Sequence, residues 1–495
     1  MNILLIYPEF PDTFWSFKHA LKFVHKRSSS PPLGLLTIAA MLPGTWEKRL
    51  VDMNVHKLKD SDIEWADMVF ISAMTVQRDS VLKILLRTKA LDKLIVAGGP
   101  LFTMEPDAFL EVDHLILNEG EITLPLFLAD LGRGKTRRVY ETDEYADITK
   151  TPIPMWELID LSQYDSMSLQ YSRGCPFNCD FCNVTALLGH KMRLKTTRQM
   201  IAELDSLYKL GWRRSIFIVD DNFIGNRKVL KEDLLPALIE WRKGKKGCLF
   251  LTEASVNLAD DDELIDLMVR AGFTQVFVGI ETPDEVSLAE CHKSQNRNRD
   301  MVGNIKKLQN MGLQVMGGFI VGFDSDTEGI FERQIDFIQK SGIVTAMVGL
   351  LQAPIGTALY QRMLREGRLK AEDHSGDNVD GETNIITKMN PNLLKAGYRH
   401  ILDTIYSAKV YTERVKSFLR EFNPKYHSVT LQWQEIAALF RSIFEIGIRS
   451  KERRYYWKLF FWSLFKHPDK FPLAITFSIY GYHFRKVNEL HVVGA

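Results

Sequence analysis

The sequence predicts an α/β protein in three parts: a doubly wound, Rossmann-like domain, a partial (β/α)6 TIM barrel and a helical C-terminal domain. Three observations predict it. Over residues 1–140 short apolar strands alternate with amphipathic helical stretches, the signature of a parallel sheet covered on both faces. Six further strand–helix units follow from residue 168, too few for a closed eight-stranded barrel. From about residue 385 the strand signal stops and helical periodicity takes over. The expected boundaries are 1–140, a linker over 141–167, the barrel over 168–384 and the helical domain over 385–495.

In the first part, strands are expected at 2–7 (NILLIY), 49–52, 68–73, 94–97 and 114–117, with helices around 33–42, through the 80s and after 121. Gly98-Gly99-Pro100 and Asn118-Glu119-Gly120-Glu121 directly follow strands. That is the carboxyl edge at which such sheets bind ligands, although glycines there also make plain turns. Residues 141–170 contain Pro152 and Pro154, are acidic and lack periodicity, which reads as a linker. The second series has strands near 168–172, 215–219, 249–253, 275–280, 314–321 and 344–350, with helices at about 197–210, 228–243, 261–271, 299–311 and 327–340.

Bulk properties set the class. A chain of 495 residues exceeds one ordinary core; at roughly 100–200 residues per domain, two to four domains are expected. An apolar content of 45% with 25% charged residues is that of a globular protein. The net charge of +1 provides no field for nucleic acid, so no nucleic-acid partner is expected. The opening MNILLIYPEF lacks a basic segment and meets Pro8 early, and no apolar run approaches the ~18 residues of a membrane span. The expected location is therefore the cytoplasm. Of five cysteines, Cys175, Cys179 and Cys182 fall within eight residues, which points to a metal or redox site rather than disulfides. Cys248 reads as a core residue; Cys291 with His292 reads either as a site pair or, the favoured reading, as part of a surface helix.

Residues 173–183 read RGCPFNCDFCN, a Cys-x3-Cys-x2-Cys spacing directly after a strand. Iron–sulfur clusters usually take four thiolates. Three in one loop leave one iron of a 4Fe–4S cluster open to chelate a substrate or cofactor, as catalytic metal sites keep a free position. Phe181 is placed to pack on a bound adenine. The same residues also allow a structural zinc site, with His190 as fourth ligand, or three unrelated thiols.

At this motif the chain resembles the radical S-adenosylmethionine superfamily. The resemblance implies that the open iron binds the amino and carboxylate groups of S-adenosylmethionine, and that one-electron reduction releases methionine and a 5′-deoxyadenosyl radical. A donor such as flavodoxin or ferredoxin would supply the electron. Polar groups at strand carboxyl ends, where a barrel places its active site, are the expected S-adenosylmethionine contacts: Asp220, Asp221, Glu253, Gly279, Glu281, Gly318 and Gln352, beside Phe181.

A doubly wound domain before such a barrel resembles the cobalamin-binding branch, and the expected cobalamin contacts are Asn54, Ser72, Gly98, Gly99, Pro100, Glu119 and Gly120. Many cobalamin domains carry Asp-x-His-x-x-Gly, whose His ligates cobalt; here Asp52-Met53-Asn54 stands instead, with His56 two residues off, and a sheet domain that only recognises substrate is the alternative. PPLGLL at 31–36, VDDNFIGN at 219–226 and VFVGIETP at 276–283 resemble the hopanoid 2-methylase type, whereas the opening YPEFPDTFWSFKHAL suggests a distinct subgroup. The resemblance implies methyl transfer to an unactivated sp3 carbon of a hydrophobic, lipid- or isoprenoid-like molecule. Ring closure or rearrangement without methylation is the alternative, and a non-catalytic cobalamin or cluster sensor a further one.

Residues 449–465 (RSKERRYYWKLFFWSLF) and 471–484 (FPLAITFSIYGYHF) mix basic and aromatic residues, which suits peripheral membrane contact. The other reading is an ordinary helical domain whose aromatics pack on the barrel.

Overall fold

Alternating burial builds the first sheet. The computed structural model describes residues 1–370, 375–377, 379–424 and 433–491. Strands β1 (Asn2–Tyr7), β2 (Glu47–Asp52), β3 (Met68–Ser72), β4 (Leu94–Gly98), β5 (His114–Ile116) and β6 (Val139–Tyr140) lie in the order β2-β1-β3-β4-β5-β6, all parallel. Ile3, Leu5, Met68, Phe70 and Val96 enter one core layer, while Leu4, Ile6, Val69, Ile71, Ile95 and Ala97 enter the other. A sheet buried on both faces needs apolar residues at every position, which is why these strands read as continuous apolar runs. The strand order reverses between β1 and β3, so the ligand crevice lies outside their carboxyl ends. The two-residue β6 is a sixth strand that the sequence pattern does not signal.

Residues 141–165 hold three short 3-10 turns, at Ile148–Lys150, Trp156–Leu158 and Leu161–Gln163, and bury Trp156 and Tyr164. The Tyr164 hydroxyl donates to Asp52 Oδ2 at 2.9 Å, tying the segment to the first sheet.

The second sheet is formed by β7 (Ser166–Leu169), β10 (Ser215–Ile218), β11 (Phe250–Glu253), β12 (Phe273–Glu281), β13 (Gln314–Val321) and β14 (Ala346–Leu350). Its order, β7-β10-β11-β12-β13-β14, follows the chain and every pairing is parallel. β7 and β14 are its two edges, so the barrel is open on one side. Outward residues such as Ile216, Val276, Val278, Ile280, Ala346 and Val348 pack against the helices in one large core. The alternate residues Phe217, Leu251, Phe277 and Met347 are half-buried on the inner face. β7 ends earlier than the expected 168–172 because Asp220 takes the Tyr171 amide, and the chain then enters a small antiparallel ladder. That ladder is β8 (Ser172–Arg173) against β9 (Arg193–Leu194), which brackets the cysteine loop.

The C-terminal part is helical over Pro391–Ile405, Ala408–Glu421, Trp433–Ser442, Arg453–Lys466 and Phe471–His491, with a π-helix at Ile443–Arg449. It packs on the barrel rather than standing apart. The Tyr406 hydroxyl donates to Ala346 O at 2.6 Å and accepts from Ala346 N at 3.2 Å, and buried Arg414 donates to Gln339 Oε1 at 2.7 Å. Among the described residues no helix is long and apolar enough to cross a membrane.

Candidate active site

The cysteine loop is closed at its base by backbone. Gly174 has φ +94°, and a Cβ there would lie 2.7 Å from Lys191 O and 3.0 Å from Gly189 O, so only glycine fits. Cys175 N donates to Gly189 O at 3.2 Å and Cys182 N to Cys179 O at 3.1 Å. The three thiols are free and half-buried. Burial pushes the Cys182 thiol up to about 12 and raises Cys175, and a neighbouring Cys179 thiolate adds to both shifts, so the three sulfurs sit within electrostatic reach of one another. The Lys293 ammonium opposes both shifts. Among the described residues no three His, Cys, Asp or Glu side chains are gathered as a single metal ion needs. A 4Fe–4S cluster takes each thiolate at a different iron, so its ligands need not converge on one point.

The segment 291–295 docks on this loop. Cys291 is buried, and its carbonyl accepts from Asp180 N at 3.1 Å. His292 Nδ1 lies 2.9 Å from Asp180 Oδ1. The expected surface helix is thus corrected: the helix ends at Glu290, and Cys291 turns inward against the loop. Gln295 Nε2 lies 3.6 Å from Cys179 Sγ, while its Oε1 is buried with no hydrogen-bond partner. A buried orphan acceptor beside a ligand thiol fits a group that binds there.

Lys293 Nζ donates to Glu281 Oε1 at 2.7 Å. Burial pulls Lys293 down, but Glu281 and the Cys179 thiolate outweigh it and hold the ammonium charged. Glu281 sits at φ +63°, where the β12–β13 register shifts, a kink that re-aims its carboxylate. At the ends of the neighbouring strands, burial pushes Asp221 up to about 6, and burial with repulsion from Asp221 and Asp220 pushes Glu253 up to about 8. Neither forms an ion pair among the described residues. One buried cation and two unpaired acids around a three-thiol loop complement the carboxylate and ammonium of an amino acid.

Of the expected contacts, Asp220, Gly318, Gly98, Gly120 and Asn54 are instead spent on the fold. Asp220 accepts from Tyr171 N at 2.7 Å and from the Ser172 hydroxyl at 2.6 Å, so it positions the start of the cysteine loop. Gly318 lies mid-strand, and the Phe277 ring, 2.7 Å from where its Cβ would be, fills the space. Gly98 and Gly120 make room for Ile116 O and the Ile38 side chain. Asn54 Nδ2 donates to Pro8 O and Asp52 Oδ1, and its Oδ1 accepts from Phe10 N, fixing the loop after β1. Ser72 Oγ occupies the space where a Gly99 Cβ would point, and Pro100 starts the helix Pro100–Met104. Gln352 Nε2 donates to Asp377 O and Glu382 O, while its Oε1 is buried without a partner. Phe181 packs with Phe323, ring centroids 6.5 Å apart, and the Lys293 ammonium lies 5.9 Å from its centroid. Cys248 is a core residue, buried as expected.

Glu119 is corrected most. It grips Arg193 through two bonds of 2.6 Å and lies 3.7 Å from Arg173, while Glu121 grips Arg173 at 2.6 and 3.0 Å. Burial works against the Glu121 carboxylate, but Arg173 holds it below the usual range. All four side chains are largely buried. Two acids at the start of the helix Gly120–Gly132 in the first domain therefore clamp both strands of the ladder that brackets the cysteine loop. Arg173, Arg193, Lys293 and Gln295 are site residues that sequence reasoning missed; only the Arg of RGC carried any local signal.

Three family models match the chain: the radical SAM superfamily over residues 169–338, a B12 binding domain over 25–128, and a domain of unknown function (DUF4070) over 357–494. An uncharacterised methyltransferase of Synechocystis sp. is 42% identical, covering 99% of this chain and 92% of that protein. The hopanoid C-2 methylase of Rhodopseudomonas palustris is 40% identical, covering 77% and 73%. Among solved structures, the cobalamin-dependent S-adenosylmethionine radical enzyme OxsB with aqua-cobalamin and S-adenosylmethionine bound matches with TM-score 0.63 at 16% identity, covering 100% of this chain and 81% of that one. The radical S-adenosylmethionine methyltransferase TsrM from Kitasatospora setae, with cobalamin and a 4Fe–4S cluster bound, matches with TM-score 0.61 at 12% identity, covering 99% of both chains. These two likenesses are of fold.

Proposed function

The chain belongs to the cobalamin-dependent radical S-adenosylmethionine methyltransferases, and from that premise we propose that it methylates an sp3 carbon of a hydrophobic, isoprenoid-like molecule. The observation that carries the substrate class is the inner face of the barrel. Phe217, Leu251, Phe277 and Met347 are only half-buried there, which gives the cavity an apolar wall below the polar groups at the strand ends. The hopanoid methylase relative supports the same class.

The cofactors are a 4Fe–4S cluster, S-adenosylmethionine and cobalamin. Together they supply hydrogen-atom abstraction from an unactivated carbon and a methyl donor. The chain's own residues hold and orient them. Cys175, Cys179 and Cys182 are the three thiolate ligands, and the resemblance leaves one iron for S-adenosylmethionine. Lys293, held by Glu281, would pair with the carboxylate of that molecule, Asp221 and Glu253 would take its ammonium, and Phe181 and Gln352 would line its adenosyl end; Gly279 leaves room for the Glu281–Lys293 pair. In the first domain Ser72, Gly99 and Pro100 offer a low edge over which a planar ring can lie. Asn54 carries no imidazole, and its side-chain amide is already engaged with Phe10, Pro8 and Asp52. The apolar wall and the packed helical part exclude water from the reacting carbon. A small flavodoxin- or ferredoxin-type donor supplies the electron.

The test is stoichiometry. With a hydrophobic substrate panel, each added methyl should accompany one 5′-deoxyadenosine and one S-adenosylhomocysteine. Turnover that never yields S-adenosylhomocysteine would make the enzyme a cyclase or mutase. Alanine at any one of Cys175, Cys179 or Cys182 should abolish 5′-deoxyadenosine release; retained release refutes the ligand set.

We propose also that the helical part meets a membrane surface. Phe440, Phe444, Ile448, Phe461, Leu464 and Phe465 are exposed, and Lys451, Arg453, Arg454, Lys458 and Lys466 are exposed among them. Exposed aromatics beside basic side chains suit an anionic interface.

A further inference from the structure

We infer that Trp15, carried into the barrel by the segment after β1, is a specificity-determining residue that forms part of the wall facing the substrate. This rests on the reading of an apolar substrate in the barrel.

The segment crosses the open side of the barrel. At one end it runs beside β7: Arg27 N donates to Gln163 O at 2.9 Å, Asp165 N to Ser28 O at 3.1 Å and Ser166 N to Ser29 O at 2.8 Å. At the other it reaches the far edge strand, where Trp15 Nε1 lies 2.9 Å from Met347 Sδ on β14. The Trp15 ring also meets Phe277 on β12 edge-on, with centroids 5.4 Å apart at 80°. Met347 and Phe277 both alternate with core residues that pack outward on the helices, so both point inward. A side chain that touches β12 and β14 on that face must pass over β13. There β13 carries Gly318, whose missing side chain leaves room for the Phe277 ring. Trp15, Phe277 and Met347 thus form one continuous apolar surface inside the barrel.

Anchoring is done by the neighbours of Trp15. Phe14 is 4% exposed and stacks on Phe484 with centroids 4.3 Å apart, and Phe17 packs on His483 at 5.2 Å. Trp15 itself keeps 36% of its surface exposed. Its indole N–H is directed at a thioether, a weak acceptor, so the free surface it offers is apolar. A rigid aromatic held by buried neighbours, yet left open toward the cavity, selects ligands by shape. It lies in the stretch YPEFPDTFWSFKHAL.

The reconstituted holoenzyme is offered an equimolar mixture of farnesol, squalene and a hopanoid, and the methylated products are weighed by mass spectrometry. Trp15→Ala should shift the product ratio toward the bulkier molecules by about tenfold, the scale on which apolar pockets discriminate; Trp15→Phe should shift it less. Equilibrium dialysis of tritiated farnesol against the same holoenzymes provides a readout without turnover: affinity should fall about tenfold in Trp15→Ala, and by less in Trp15→Phe. Cluster absorbance and bound cobalamin report folding; if Trp15→Ala does not fold, Trp15→Phe decides. Product ratio and farnesol affinity unchanged in the folded variants overturn the role of Trp15, as does a wild type that binds no farnesol. A wild type that binds farnesol in a Trp15-dependent way but methylates nothing overturns the reaction and leaves Trp15 as a binding residue.

Discussion

His483 is fully buried, its Nε2 lies 3.0 Å from Phe14 O, and its Nδ1 has no partner. Burial holds the imidazole down at about 4, with His19 and Asp12 the charged groups nearby. The folded value is depressed, so the stability tied to it is present above the unfolded value of about 6.5 and is lost as pH falls toward 4. Between about pH 7 and about pH 5 the protein should lose about 2 kcal/mol through this group. His483→Gln, which keeps a donor for Phe14 O, should flatten that slope in urea titrations; an equal slope in both proteins would remove His483 as its cause. At this scale the cysteines were legible because ligand spacing is a local property. Lys293 and Gln295 were not, since nothing near them in sequence announces a thiol more than 110 positions away. Glu119 was misread for the same reason: a carboxylate after a strand reads as a ligand edge, and its partner Arg193 stands 74 positions on.

At the scale of elements, the clamp joins the helix Gly120–Gly132 to β8 and β9. Glu119→Gln leaves Arg193 buried without its counter-charge, and loss of one partner of a buried pair costs about 3–5 kcal/mol. Changing both, Glu119→Gln with Arg193→Met, should recover much of that loss, read as the coupling in a double-mutant cycle by urea unfolding. Additive losses would mean that the two side chains do not act as a pair. The same single variant should alter the line shape of the reduced cluster in electron paramagnetic resonance, because β9 closes the cysteine loop. The long strands and helices were legible from periodicity. β6, β8 and β9, two residues each, were not, because so short a run carries no period and owes its existence to its partner strand.

For the whole molecule, all three parts were legible as a change of period along the chain, but the faces they turn to one another and to solvent were not. Trp457 and Trp462, in the densest aromatic run, belong to the packing: Trp457 Nε1 donates to Gly447 O at 2.9 Å, and Trp462 lies between His467, Lys416 and Arg420. The outward residues include Phe440 and Phe465, 66% and 77% exposed, together with Phe444 and Phe461. Changing these four phenylalanines to serine should lower association with phosphatidylserine vesicles at least about tenfold, given what burying even a few aromatic rings contributes. The thermal midpoint should change little, because all four are largely exposed and lie outside the buried core clusters. Trp457→Ser should do the reverse and lower the midpoint. Vesicle binding that survives the fourfold change would remove the membrane reading.

The stacking of Phe14 on Phe484 has a consequence in time. A ribosome makes residue 484 only 470 positions after residue 14. Both sheets and the cysteine loop are complete in the nascent chain while the partner of Phe14 is still unmade. The segment that carries Trp15 can meet β7, β12 and β14 earlier, but it gains its Phe484 and His483 anchors only when the helix Phe471–His491 emerges, so the side of the barrel it covers is fixed late. That order leaves time for a metal cluster to enter the cysteine loop before the cover is fixed.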